Sequence, residues 1–297
     1  MKRVLITGVT GYIGSHLARA LLSDCEVYGL VREPLSTEYI ADIKEKLHLL
    51  QYDGSYESVE RAMRESAPDV VYHLATYYTG AHNADVTTKM LAANVMLGGY
   101  LLEAMCACGC RSLVYATSIM THYQGEEYRP LNLYAATKQA LSDLIAYYTD
   151  AGLLRAVTLV LSDTYGPDDR RPKILNLIRK AAESGEHIAL SDGTQDYDVV
   201  HIDDVVRAFR MAGERAASMT DGSELYQVCA EHPLTLRETV EKMLAVNGMT
   251  LDAGWGERAP SEREQRRAIR LYPTLSGWQQ EVSLETGLRS LCFAGKN

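Results

Sequence analysis

Phenylalanine and tryptophan are almost missing from this chain: two of each occur among 297 residues, against nineteen tyrosines. That bias excludes no fold class, and the sequence alone offers no physical reason for it. No segment reaches the roughly 18 consecutive apolar residues of a membrane-spanning helix, so no membrane anchor is expected. The opening MKRVLITG runs straight into a strand-like segment and lacks the longer apolar core of a signal peptide. Excess positive charge is missing too. The 30 Lys and Arg face 39 Asp and Glu, a formal net charge of −9. This argues against nucleic acid or an anionic membrane as partner, while one local basic pocket would still admit an anionic substrate. Cysteines number six, at 25, 106, 108, 110, 229 and 292. Without an export signal they are expected to be reduced thiols in a cytoplasmic protein. Cys106, Cys108 and Cys110 resemble a soft-metal cluster, but no His or distant Cys pair completes a tetrahedral set, so no metal is expected. Repeats and low-complexity segments are absent.

What is present is an ordinary globular composition, 46% hydrophobic and 23% charged, which excludes disorder. The length predicts one large domain or two intimate ones. Through the first half, apolar runs alternate with helical patterns. VLITG (4–8), EVYGLVR (26–32), LHLLQYD (47–53), DVVYHLAT (69–76), RSLVYATS (111–118) and AVTLVLSD (156–163) read as strands. The helical patterns include 91–106 and 134–152. Such alternation predicts a parallel sheet with helices on both faces, and continuous apolar runs suit strands buried on both sides. Beyond 164 a turn-rich loop, YGPDDRRPK, interrupts the pattern. A helix follows at 174–185, 199–217 returns to strand then helix, 225–230 is one more strand, and 235–248 is a helix with a capping start at Thr235 and Glu238. The expected fold class is α/β: a Rossmann-type doubly wound parallel sheet with a smaller C-terminal substrate lobe. Residues 1–165 would form the dinucleotide-binding domain, with 198–230 returning to it. Residues 166–197 and 231–297 would form the substrate lobe.

Gly8, Gly11 and Gly14 lie between the first strand and first helix. There glycines permit a tight turn, close backbone approach to a diphosphate and close helix–strand packing, at a helix N-terminus whose free N–H groups favour anions. The alternative is a purely structural glycine turn. An NAD site wants an acid at the end of the second strand, and an NADP site a cation. Here Val31 occupies the acid's place, Arg32 follows and Glu33 could neutralise it. Arg32 predicts NADP(H) as cofactor, with a solvated surface arginine as the alternative. Tyr134 and Lys138 form Y-x-x-x-K at a helix start, which puts the ammonium near the phenol and favours the phenolate. Tyr134 would then serve as acid or base toward a carbonyl or alcohol. Ser118, at a strand's carboxyl end, could hold the substrate oxygen beside it.

These residues resemble the extended short-chain dehydrogenase/reductases, the NAD-dependent epimerase/dehydratase family, over nearly the whole chain. Thr7–Gly14 resembles the glycine motif, Asp53 the adenine-side acid, and His73-Leu74-Ala75 the H-L-A segment. Asn94-Val95, Tyr165-Gly166-Pro167, Asp198 with Asp203, Gly277-Trp278 and Ser283-Leu284-Glu285 resemble later segments of the family. Around Ser118, Tyr134 and Asp203-Asp204 the chain is most similar to nucleotide-sugar 4-ketoreductases of the CDP-abequose synthase type. The resemblance implies Ser118, Tyr134 and Lys138 as catalytic residues beside the nicotinamide. It extends the cofactor site to Thr10, Tyr12, Ile13, Asp53, Gly54, Leu74, Ala75, Thr76, Asn94 and Thr117. It implies a keto-sugar in the interlobe cleft near Tyr77, Tyr78, Ser118, Met120, Asp163, Thr164 and Tyr197, and a homodimer built through helices near 91–106 and 134–150.

Departures from the family's pattern bear on the substrate. Tyr197 stands where relatives carry Arg, Val160 where they often carry Arg, and Asp163 where they often carry Asn. Arg170, Arg171 and Lys173 could hold a diphosphate instead, or form a solvated loop. Asp163, Asp168, Asp169, Asp196 and Asp198 could equally face an amino sugar. The expected activity is NADPH-dependent reduction of a keto-sugar, of the 4-keto-hexose type and nucleotide-linked. The alternatives are a ketoreductase of a free or glycosidically linked amino sugar, a nucleotide-sugar epimerase, and a catalytically silent NADP-sensing binding protein. A dehydratase would want an acid beside Ser118, where Ile119 and Met120 stand.

Overall fold

Side chains alternate across a strand, so the apolar runs of this sequence can fill two layers at once. The computed structural model describes residues 2–80 and 83–293, excluding the side chains of Cys292 and Phe293, and it shows that arrangement. The Cys292 thiol lies outside the described residues. Seven strands make one parallel sheet: β1 (Lys2–Thr7), β2 (Cys25–Val31), β3 (His48–Gln51), β4 (Val70–His73), β5 (Ser112–Ser118), β6 (Arg155–Leu161) and, late in the chain, β11 (Gly222–Val228). Their order is β11-β6-β5-β4-β1-β2-β3, so the chain winds outward both ways from β1. The sheet is the doubly wound Rossmann type that alternation in the sequence predicts.

Helices α1 (Tyr12–Leu21) and α7 (Ile202–Ser218) cover one face. Val4, Ile6, Val27, Val70, Val114 and Leu159 of the sheet meet Leu17, Leu21, Val205 and Phe209 there. Helices α2 (Tyr56–Ser66), α4 (Leu97–Cys108) and α5 (Leu133–Asp150) cover the other. Leu5, Leu30, Val71, Leu113 and Tyr115 meet Met63, Leu101, Met105 and Leu141 there. Helix α3 (Ala84–Leu91) joins α4 through a π-helical stretch, Ala92–Met96. The continuous helix Ala84–Cys108 starts earlier than the periodicity near 91 suggests. It contains an 18-residue stretch apolar enough, by length and composition, to cross a membrane, although that stretch is not an unbroken apolar run. Its inner face, however, supplies Met90, Leu97, Leu101 and Met105 to buried positions of the fold.

The remaining elements build a smaller layer. β7 (Asp163–Tyr165) pairs with β10 (Val199–His201), β8 (Ile188–Leu190) with β13 (Ala253–Trp255), and β9 (Asp196–Tyr197) with β12 (Leu234–Thr235). α6 (Ile174–Ser184), α8 (Leu236–Asn247) and α9 (Leu284–Phe293) surround a third cluster of Tyr165, Ile178, Leu190, Val240, Met243 and Leu288. The capping box read from Thr235 and Glu238 is present. The tail is lashed to the main sheet by buried polar groups. The Asp204 carboxylate accepts from Glu281 N–H and Val282 N–H, both at 3.1 Å, and the Trp278 indole donates to the Asp204 carbonyl at 2.9 Å. Gln227 accepts from Leu271 N–H and donates to the Ile269 carbonyl.

Candidate functional site

Between β1 and α1 the chain turns back so sharply that side chains are excluded. Gly8 has φ +75°, and a Cβ there would lie 2.7 Å from Ala75 N. A Cβ on Gly14 would lie 2.1 Å from the Gly8 carbonyl oxygen. A Cβ on Gly11 would have one close neighbour, the Gly8 carbonyl oxygen at 3.2 Å. Gly11 also starts α1 without a side-chain cap, leaving first-turn N–H groups for an external anion. These are the features a dinucleotide diphosphate needs, so the residues present fit that cofactor. Thr10 lies in the turn and Ile13 in the first turn of α1. The neighbouring end of β4 is tied to β1 by Thr7, whose hydroxyl meets His73 Nδ1 at 2.7 Å and accepts from Ala75 N–H at 3.1 Å. Burial holds His73 neutral, its pKa pushed down to about 3. Leu74, Ala75 and Thr76 thus lie beside the glycine turn.

Tyr12 departs from its expected place. Its side chain is buried, donates to the Pro167 carbonyl at 3.0 Å and lies under the Arg171 guanidinium at 4.4 Å. It anchors the loop after β7, leaving only its backbone to a cofactor. Arg32, just after β2, is exposed and makes no ion pair among the described residues. Glu33 does not neutralise it; its carboxylate accepts from Leu35 N–H at 3.0 Å. Asp53 follows β3 and accepts from the Ser55 hydroxyl at 2.5 Å and Ser55 N–H at 2.9 Å, bonds that hold its pKa near 2. Gly54 beside it has φ +101°.

Tyr134 and Lys138 lie one helical turn apart at the start of α5. Asn132 caps that start by accepting from Ala135 N–H at 2.9 Å. Lys138 is buried, donates to the Ala116 carbonyl at 2.9 Å, and sits 5.0 Å from the Tyr115 ring centre and 5.9 Å from that of Tyr134. The expected phenolate is not favoured. Burial raises Tyr134 to about 12, outweighing the neighbouring Thr76 hydroxyl, and burial lowers Lys138 to about 7. Desolvation of each charged form exceeds what the pair exchanges, because the ammonium is aimed at a carbonyl rather than at the phenol. Tyr134 therefore keeps its proton at neutral pH.

The residues around Tyr134 are only partly those foreseen. Tyr78, 56% exposed, packs edge-on against it at 5.0 Å. Ser118 ends β5, and its hydroxyl accepts from Met120 N–H at 3.3 Å, which leaves its own proton to donate. Thr117 before it is buried. Asn94, in the π-helical stretch, is saturated. It accepts from Thr76 (3.1 Å) and Tyr77 N–H (2.7 Å), and donates to the Tyr77 carbonyl (3.0 Å) and Thr137 (2.9 Å). Rather than reaching a cofactor directly, it positions the segment carrying Thr76, Tyr77 and Tyr78.

In the loop after β7, the cations read as diphosphate ligands are already paired. Arg171 grips the buried Asp169 through two nitrogens, at 2.7 and 2.6 Å, and donates to the Thr164 carbonyl at 3.0 Å. Arg170 faces Glu38 at 3.3 Å, and its N–H donates to the Tyr39 hydroxyl at 3.0 Å. Lys173 is bonded to Asp163, whose other oxygen accepts from the Tyr197 hydroxyl at 3.0 Å. The loop folds its own acids onto its cations, which a reading of the basic residues alone does not reveal. The acids considered for an amino sugar are likewise engaged: Asp196 faces Arg267 at 3.5 Å and Asp198 meets Arg270 at 2.5 Å. Asp168, at φ +59°, makes no ion pair among the described residues. Arg270 was not foreseen; it lies 72 residues from its partner and no local pattern marks it. No group of three or more His, Cys, Asp or Glu among the described residues could hold a metal.

The chain is similar to several known proteins. CDP-abequose synthase of Yersinia pseudotuberculosis is 30% identical over 209 residues, 69% of this chain and 71% of that protein. The Salmonella muenchen CDP-abequose synthase is 24% identical over 98% of this chain and 97% of its own length. Among solved structures, MoeE5 in complex with UDP-glucuronic acid and NAD superposes with a TM-score of 0.80 at 26% identity, covering 98% of this chain and 97% of that one. UDP-glucose 4-epimerase of Thermus thermophilus, complexed with NAD, gives 0.83 at 24% identity over 99% of this chain and all (100%) of that one, a likeness of fold. The family model for the NAD dependent epimerase/dehydratase family matches residues 4–229, from β1 to the end of β11, and the chain belongs to that family.

Proposed function

We infer that this protein is an NADPH-dependent reductase of a nucleotide-linked keto-sugar of the 4-keto-hexose type. The observation that carries the reading is Tyr134, a half-buried phenol that keeps its proton beside Lys138 at the start of α5. A reductase needs a proton donor for the carbonyl oxygen, and a phenol near pKa 12 is protonated at any physiological pH. When bound, the nicotinamide would supply hydride to the carbonyl carbon. Tyr134 gives its proton to the oxygen, so C=O becomes CH–OH, and Ser118 holds that oxygen with its free O–H. Lys138, one turn along α5 and fixed by the Ala116 carbonyl, would hold the nicotinamide ribose beside Tyr134. The Gly8–Gly14 turn and Leu74 to Thr76 would hold the dinucleotide. Arg32, unpaired at the end of β2, supports NADP(H) over NAD, since a guanidinium suits a 2′-phosphate.

The CDP-abequose synthase relatives and the UDP-glucuronic acid bound by MoeE5 support a nucleotide-linked substrate. An amino sugar is less well supported, because Asp163, Asp169 and Asp196 already face cations. We also propose a cytoplasmic homodimer. Its support is the apolar outer face of Ala84–Cys108 and α5, where Leu91, Met96, Leu144 and Tyr147 are exposed. The test of the activity is turnover of CDP-, dTDP-, UDP- and GDP-linked 4-keto-hexoses with NADPH, followed by loss of reduced-nicotinamide absorbance. Consumption of NADPH in proportion to alcohol formed supports the reading. Interconversion of nucleotide sugars by protein given no reduced cofactor would make it an epimerase.

A further inference from the structure

The ion pair at the start of β7 joins two residues that the sequence assigns to different parts of a substrate, Asp163 to the sugar and Lys173 to a diphosphate. Lys173, at the N-terminus of α6, is bonded to Asp163 at the start of β7. The remaining Asp163 oxygen accepts from Tyr197 at 3.0 Å, and Thr164 N–H donates to Asp163 at 3.2 Å. The pair is partly open, with 28% of the Lys173 side chain and 34% of the Asp163 side chain exposed. It also borders the chemistry. Ser118 at the end of β5 is in register with Leu161 on β6, two residues before Asp163, and the Tyr78 ring packs against Tyr134.

The bonding capacity left over is specific. An ammonium has three donors. Lys173 uses one on Asp163 and has a long contact of 3.5 Å to the Thr164 carbonyl, so a donor remains. A carboxylate offers about four acceptor sites, and three donors reach Asp163, so an acceptor remains. Donor and acceptor lie side by side on a pair of zero net charge. A phosphate placed there would meet the Asp163 carboxylate, and an ammonium would meet Lys173. Either would be desolvated against a like charge. Two neutral hydroxyls face neither penalty: one donates to Asp163 while the other accepts from Lys173.

The geometry points to the Asp163–Lys173 pair, backed by the Tyr197 hydroxyl, as the receptor for a vicinal diol of the substrate's sugar ring. The ring then lies between this pair and the Tyr78–Tyr134 edge, and the diphosphate, where there is one, binds elsewhere. This assignment rests on the keto-sugar reading above. It makes Asp163, Lys173 and Tyr197 selective for the sugar and indifferent to its nucleotide.

Calorimetry on the NADP-saturated full chain separates the two parts. The probes are CDP-, dTDP-, UDP- and GDP-glucose and the four nucleoside diphosphates without sugar. The variants are Asp163→Asn, Lys173→Gln and Tyr197→Phe, each with a melting curve; Tyr197→Phe keeps the ion pair if the other two fail to fold. Asp163→Asn and Lys173→Gln should weaken the best-bound nucleotide glucose about tenfold, and Tyr197→Phe about threefold, with the matching diphosphate unchanged within twofold. Equal losses for sugar-bearing and sugar-free nucleotides would overturn the proposal, and so would no loss for either. If no nucleotide binds wild-type protein, the nucleotide-linked reading fails, and the pair is read instead with methyl glucoside and methyl 2-amino-2-deoxyglucoside. Preference for the neutral glycoside, lost in Lys173→Gln, sustains the diol receptor. Preference for the amino glycoside, or binding of neither, sinks it.

Discussion

Tyr134 and Lys138 illustrate how burial decides what a side chain can do. In water the phenol would titrate near pH ~10 and the ammonium near ~10.4. Here burial drives them apart in the directions that keep each neutral, to about 12 and about 7. Tyr134→Phe should keep the ring and the fold, lower turnover by about 10²–10⁴-fold, and leave dinucleotide affinity nearly intact. A variant retaining half the wild-type rate would remove Tyr134 from the mechanism. The depressed Lys138 value also sets a stability slope. Between about pH 7 and the unfolded value near ~10.4, the unfolded chain binds a proton that the folded chain does not, so stability of the cofactor-free protein rises with pH across that window. Below about 7 both states are protonated and the term is constant. Lys138→Met should flatten this slope in urea titrations run from neutral to alkaline pH.

At Arg32 the expected loss is one charge-assisted contact, about 1.5–3 kcal/mol. Arg32→Ala should therefore lower the preference for NADPH over NADH about tenfold to a hundredfold, read as a ratio of kcat/KM values. Equal use of both cofactors by the wild type would refute the NADP assignment. The tyrosine bias also finds a reason at this scale. The hydroxyls of Tyr12, Tyr28, Tyr115, Tyr148, Tyr197 and Tyr226 each donate to a carbonyl or carboxylate. Phenylalanine would fill the same volumes and leave those acceptors short of a partner.

At the scale of elements, period and punctuation made much of the architecture readable. Strands buried on both faces are unbroken apolar runs, and VLITG, DVVYHLAT and RSLVYATS locate β1, β4 and β5 closely. The glycine turn and the Tyr134 helix were legible because their residues are close in sequence and their roles depend on local backbone. Long-range contacts were not. The pairing of Lys173 with Asp163, of Arg171 with Asp169 and of Arg270 with Asp198 depends on how loops return, and no periodicity records that. Short strands such as β8, β9, β12 and β13 carry too few residues to show a period. The π-helical stretch was hidden for a different reason: the extra residue that turns Asn94 inward leaves the apolar pattern on either side intact. Asn94→Ala would remove four hydrogen bonds and leave the Tyr77 N–H and carbonyl without these partners, while the Thr137 hydroxyl keeps its bond to the Tyr134 carbonyl. It should cost about 1–3 kcal/mol in denaturant titrations, with faster amide exchange confined to residues 74–80.

For the whole molecule, the unresolved balance is between charge and apolar surface. A net charge of −9 disperses the protein and opposes self-association at low salt. Against it stands an outer face on which Leu91, Met96, Leu144 and Tyr147 are 37–65% exposed, on two helices that pack side by side over one face of the sheet. Scattered single apolar residues are ordinary on a protein surface, but four on adjacent helices make a patch that a second copy can cover through a two-fold axis. Two helices from each copy would then form a four-helix contact, closed and self-limiting. Paired Leu144→Glu and Tyr147→Glu substitutions place four carboxylates across that axis at exposed positions, the Tyr147 change removing one edge-on contact with Tyr148. Wild-type protein at micromolar concentration should scatter light as twice 33.0 kDa, and the double variant as 33.0 kDa with an unchanged far-ultraviolet spectrum. Raising salt should tighten the wild-type dimer, because screening removes repulsion between two acidic copies while burial of the apolar patch is unaffected. A monomeric wild type at every salt concentration would leave this face without a partner of its own kind.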